Sequence, residues 1–138
     1  MGIKEKYKDL PPLPPDTKER VKNLKGIFDK NRVLLAYIFG SFEEKENPED
    51  IDIAVLLEGD YFELLKSLKS YLSTERIDLL DLSAVSPFSA LHILRTGKLI
   101  YSKSTKIENS YEMKILRECC DLEVLRKKEI EMIKKGFL

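Results

Sequence analysis

The residues of this chain that could do chemistry crowd into one stretch: Phe39-Gly40-Ser41, an acidic loop, then Asp50-Ile51-Asp52 at the head of an apolar run. Side chains in a strand alternate with period two, so a strand starting at residue 50 puts Asp50 and Asp52 on one face. Two carboxylates held that close repel each other unless a cation lies between them. Oxygen-only ligands of this kind suit magnesium or manganese. The Gly40-Ser41 turn just ahead offers backbone N–H groups and a hydroxyl to an anion. A metal grip beside an anion grip points to a nucleoside triphosphate and a phosphoryl-type transfer.

The elements that must position these groups are legible on either side. Asp16 with Glu19 forms a capping-box pattern, and Val21, Leu24, Ile27 and Phe28 mark one face of a helix predicted over residues 17–30. The continuous apolar run 33–39 reads as a buried strand ending at Gly40, and 50–57 as a second strand after a polar loop over 42–49. Asp60 and Glu63 repeat the cap pattern ahead of Leu64, Leu65, Leu68, Tyr71 and Leu72, which have amphipathic helical spacing. A third strand is predicted at 76–82, and Ser86-Pro87 starts a short helix that stops near Gly97. Leu99-Ile100-Tyr101 adds a small strand. A long charged helix starts between Asn109 and Glu112 and ends at Gly136, with Ile115, Leu116, Cys119, Leu122, Ile130 and Ile133 as its expected inner face. The prolines of residues 1–15 exclude helix and central strand there, so an extended arm is expected, followed by a single domain over 16–138.

Bulk properties remove other function classes. Lysine plus arginine balances aspartate plus glutamate at 24 each, which disfavours non-specific nucleic-acid binding. No apolar run is long enough to span a membrane, and no signal-peptide core follows Met1, so a soluble cytoplasmic protein is expected. Position 6 is lysine rather than serine or threonine, against myristoylation of Gly2. Cys119 and Cys120 are adjacent in a predicted helix, diverge by about a hundred degrees and make a poor disulfide. His92, the only histidine, has no nucleophile near it in an activating pattern and reads as a surface or partly packed residue.

The ordered set Gly40-Ser41, Asp50-Ile51-Asp52 and Ile77-Asp78-Leu79 resembles the minimal nucleotidyltransferases of the DNA polymerase β-like superfamily, the type paired as antitoxin with HEPN-domain toxins. Ser86-Pro87 and the ending Arg95-x-Gly97-x-Leu99-x-Tyr101 add to it, so the likeness spans roughly residues 17–103. The resemblance implies an α/β (α+β) nucleotidyltransferase fold, with a small mixed sheet of three main strands, helices on one face and a long C-terminal helix. It implies that Asp50 and Asp52 bind two magnesium ions, that Asp78 is the third carboxylate and metal ligand, and that Gly40 and Ser41 hold the triphosphate. Asp81 is a rival to Asp78, facing the other way in a regular strand. Family members usually carry arginine directly after Gly-Ser, where this chain has Phe42.

The function so implied is magnesium-dependent transfer of AMP from ATP to a hydroxyl of a partner protein, a helical HEPN-domain toxin. The alternative is a binding subunit that keeps the fold without turnover, using its helices to cap a partner or to form a homo-oligomer. A template-free RNA-end transferase is disfavoured by the neutral charge and the short chain.

Overall fold

The computed structural model describes residues 10–40, 42 and 48–136. Helices α1 (Thr17–Val21) and α2 (Lys25–Lys30) lead into strand β1 (Val33–Phe39). Strand β2 (Ile51–Leu57), helix α3 (Tyr61–Leu72) and strand β3 (Ile77–Asp81) follow. A 3-10 turn (Leu82–Ala84), helix α4 (Pro87–Thr96), strand β4 (Lys98–Ser102) and helix α5 (Thr105–Lys134) complete the order.

The sheet has four strands in the order β3-β2-β1-β4. β1 runs antiparallel to β2 and β4, while β2 and β3 are parallel, joined by the α3 crossover that a parallel pair requires. The mixed sheet, the α+β class and the long C-terminal helix agree with the reading of the sequence. The segment around Leu99 is a full fourth strand, and helices cover both faces of the sheet rather than one. The cause lies in the central strands. β1 and β2 are apolar at almost every position, so both of their faces must be covered.

On one face, Ile51, Ile53 and Val55 meet Val21, Leu24, Phe28 and the α3 row Leu64, Leu68 and Leu72. That row is fully buried, and truncating one such leucine to alanine costs about 2–5 kcal/mol. On the other face, Leu35, Tyr37 and Ala54 meet Ala90 and Ile93 of α4 and Tyr111, Ile115 and Cys119 of α5.

Helix starts follow the capping residues except at α1 and α2, neither of which has a side-chain cap. Asp60 accepts from Glu63 N–H at 2.9 Å, Ser86 from Ser89 N–H at 3.2 Å and Ser104 from Ile107 N–H at 3.2 Å. The Ser104 cap starts α5 at Thr105, earlier than the charge pattern indicates. Asp16 does not cap α1. Its carboxylate holds the Arg20 guanidinium at 2.8 Å, and Arg20 reaches on to the Tyr71 carbonyl and Ser73 Oγ at the end of α3. The single helix expected over 17–30 is broken into α1 and α2. At the break, Asn23 turns its amide back to the Glu19 carbonyl, the local competition asparagine offers a helix.

α5 also departs from expectation. Tyr111, Ile115 and Cys119 are its buried residues, whereas Leu116, Leu122, Ile130 and Ile133 are exposed. Cys119 and Cys120 are free thiols, the first buried and the second exposed. Among the described residues no helix is long and apolar enough to cross a membrane.

Candidate active site

β-Sheet register builds the site. Phe39, the last residue of β1, is paired with Asp52 of β2, and Asp52 is paired with Asp78 of β3. Residues directly paired across neighbouring strands present their side chains to the same face, about 4.8 Å apart at the backbone. Asp52 and Asp78 are therefore neighbours on the face that α4 and α5 cover. Asp52 is only 6% exposed and Asp78 is half-buried. Ile51, Ile53 and Val55 point the other way into the α3 core, as strand alternation requires.

Asp50 stands just ahead of β2, which begins at Ile51, so strand alternation does not dictate its direction. Arg76 frames it instead. The Arg76 carbonyl accepts from Ile51 N–H at 2.9 Å, while its guanidinium donates to the Glu49 carbonyl at 3.2 Å. The same guanidinium donates to the carbonyls of Leu10 and Pro11 at 2.8 and 2.6 Å, which ties the proline segment to the edge carrying Asp50. Tyr61 donates to the Leu79 carbonyl at 2.5 Å and fixes the backbone beside Asp78.

Gly40 turns the chain at the end of β1 with φ +74°, a conformation that glycine adopts without strain. Any Cβ there would lie 2.5 Å from Asp52 Oδ2. Ser41 lies outside the described residues, as do the acidic positions 43, 44 and 46. Phe42 is 2% exposed and belongs to the α3-side core, with Lys18 Nζ 5.8 Å from its ring centre. The position where the family usually carries arginine is thus an anchor that pins the glycine turn onto the core.

Asp81 is spent elsewhere. It sits opposite Val55, and its carboxylate accepts from Ser83 N–H at 2.9 Å and Ser83 Oγ at 2.7 Å, capping the 3-10 turn. The carboxylate beside Asp52 is Asp78.

A groove of about 800 Å³ opens from the glycine turn along α4, lined by Phe39, Gly40, Phe88, Ser89, His92, Ile93 and Thr96. That size suits a small-molecule or nucleotide ligand. Phe88, His92 and Thr96 form an i, i+4, i+8 stripe on α4. His92 is exposed on this stripe, in keeping with its reading as a surface or partly packed residue. Arg76 is a residue whose part shows only in the fold, since nothing in its sequence neighbours reveals its reach to Glu49.

The register brings two carboxylates, Asp52 and Asp78, side by side, oxygen donors of the kind a hard divalent ion takes. Among the described residues, however, no group of three His, Cys, Asp or Glu side chains is gathered closely enough to enclose a metal. The tyrosines behind the site stay protonated. Burial raises the Tyr37 hydroxyl far above its ordinary range, with Glu112 and Glu108 adding to it. Burial, then Glu118 and Asp81, pushes Tyr111 up to about 12.

Comparison with known proteins agrees with this geometry. The family described as Polymerase beta, Nucleotidyltransferase matches residues 22–106, more than half of the chain. No curated protein matches. Among solved structures, the fold is similar to a chain from the tri-AMPylated Shewanella oneidensis HEPN toxin in complex with MNT antitoxin. That match has a TM-score of 0.61 at 24% identity, over 86% of this chain and 98% of that one. A toxin–antitoxin structure with AMP-PNP matches at TM-score 0.61 and 26% identity, over 83% and 98% of the two chains. A toxin–antitoxin MntA–HepT structure matches at TM-score 0.60 and 23% identity, over 85% and 98%. With the family model covering more than half of the chain and the Asp52–Asp78 register beside the glycine turn, the chain belongs to the polymerase β nucleotidyltransferase family.

Proposed function

We propose that this protein is a magnesium-dependent nucleotidyltransferase that moves AMP from ATP onto a hydroxyl of a HEPN-domain partner, as the antitoxin of a toxin–antitoxin pair. The observation that carries the reading is the register of Asp52 beside Asp78, next to a glycine turn that only a side chain without Cβ can make. The groove leading from Gly40 along α4 supports nucleotide entry there. The AMP-PNP complex among the structural relatives supports an adenine nucleotide, and the tri-AMPylated toxin supports AMP as the transferred group.

In this reading Asp50 and Asp52 would hold the metal, with Asp78 as the third carboxylate. Magnesium, when bound, supplies the positive charge that the triphosphate needs as pyrophosphate leaves. Gly40 would let the protein backbone of the turn approach the triphosphate closely, and Ser41 would hold the phosphates. Asp78 takes up the proton of the acceptor hydroxyl as its oxygen bonds to the α-phosphorus and the bond to pyrophosphate breaks. Phe88 and His92 offer a ring face and a polar edge to the base in the groove.

The burial of Phe42 favours a second reading, a binding subunit without turnover. The position that usually meets phosphate with a cation is here locked in the core. Thermal denaturation separates the two. The transferase reading expects ATP with magnesium to raise the Tm of the wild type and ATP with a chelator to leave it unchanged. It expects Asp52→Asn to lose the magnesium-dependent rise. No shift at millimolar ATP in the wild type would favour the binding subunit.

A further inference from the structure

α5 is 30 residues long, about 45 Å at 1.5 Å per residue, and every residue from 120 to 136 is exposed. This free half is not uniformly polar. Ile115, Cys119, Leu122, Arg126, Glu129 and Ile133 follow one another at alternating spacings of four and three residues, the rhythm of a coiled-coil seam. The first two are buried against the sheet. The seam then runs on without cover: Leu122 is 39% and Ile133 58% exposed, flanked on one side by Leu125 at 56% and Met132 at 44%.

The order of residue types along this seam reads the same from either end except for the sign of its central charges. Laid antiparallel on a second copy, Leu122 meets Ile133 and Arg126 meets Glu129, and each contact occurs twice by the two-fold axis. Leu125 meets Met132 on the flank. Laid parallel, the seam would set Arg126 on Arg126 and Glu129 on Glu129, and like charges repel. A second copy of the chain satisfies both charges in this register.

We propose that the free half of α5 is a self-association surface, pairing antiparallel with the same segment of a second copy. The seam covers only about two heptads, so the dimer forms reversibly and depends on concentration. It does not rest on the transferase reading, because Leu122, Leu125, Arg126, Glu129, Met132 and Ile133 are given no part in transfer and do not line the groove.

Sedimentation equilibrium on the full chain tests it. The wild type is expected to move, with rising concentration, towards twice the chain mass of 16.0 kDa. Glu129→Arg sets arginine against arginine at both central contacts and should weaken the dimer by about tenfold or more. Arg126→Glu with Glu129→Arg restores opposite charges and should recover the dimer, which only self-pairing in this register predicts. Leu125→Glu should abolish it while circular dichroism shows α5 intact. A wild type that stays monomeric at every concentration would overturn the proposal. So would a charge swap as weak as the single variant, which would mark α5 as the seat of a different protein's helix.

Discussion

The glycine at position 40 and the carboxylate of Asp52 occupy one another's space: a methyl group on Gly40 would stand 2.5 Å from Asp52 Oδ2. The turn and the Asp52 carboxylate are therefore one unit. Gly40→Ala must distort either the φ of +74° or the Asp52 side chain. It should cost about 1–3 kcal/mol of stability, read as a lowered urea midpoint. In an Asp52→Ala background the added cost of Gly40→Ala should shrink to the backbone part alone, and equal costs in both backgrounds would refute the coupling.

Arg76 links three segments through the carbonyls of Leu10, Pro11 and Glu49. Arg76→Ala leaves those acceptors to water and should destabilise the fold by about 1–3 kcal/mol. Because Glu49 adjoins Asp50, the variant should also need more magnesium for half-maximal transfer. An unchanged magnesium requirement would limit Arg76 to tethering the proline segment.

In the proposed reading, the groove stripe on α4 serves nucleotide binding rather than the chemical step. His92→Ala and Phe88→Ala should each raise KM for ATP about tenfold with little change in kcat. A fall in kcat at constant KM would place these residues differently.

Burial holds the Tyr111 and Tyr101 hydroxyls up to about 12, and the contact of Tyr101 with the Asp29 carboxylate contributes further. A folded-state pKa raised above the unfolded value gives stability that is complete below about pH 10 and lost as pH rises towards 12. Each such tyrosine should steepen the fall by about 1.4 kcal/mol per pH unit across that window. Tyr111 Oη is buried without a hydrogen-bond partner among the described residues. Tyr111→Phe should therefore be neutral or stabilising near pH 7 and should flatten the alkaline fall. Urea titrations at pH 7, 10 and 11.5 would check both.

Much of this arrangement is legible in the sequence because local rules fix it. Strand alternation puts Ile51, Ile53 and Val55 in the core and turns Asp52 the other way. Ser86-Pro87 and Asp60 start their helices where capping chemistry says they should. What was not legible depends on partners distant in the chain. Asp16 looks like a cap but is drawn to Arg20, whose guanidinium is fixed by the far end of α3. The choice between Asp78 and Asp81 rests on β2–β3 register, which no local pattern sets. The apolar stripe of α5 looks like an inner face throughout, yet the sheet is long enough to bury only its first turns. Helical periodicity records which side of a helix is apolar and not what lies against it.

The most direct test of the account is transfer itself. Wild-type protein, ATP labelled on the α-phosphate, magnesium and a HEPN-domain partner should yield partner protein carrying the label. Asp52→Asn and Asp78→Asn, still folded by circular dichroism, should transfer about a hundredfold less or worse. Equal labelling by wild type and by both variants would contradict the assignment of these two carboxylates to the chemistry.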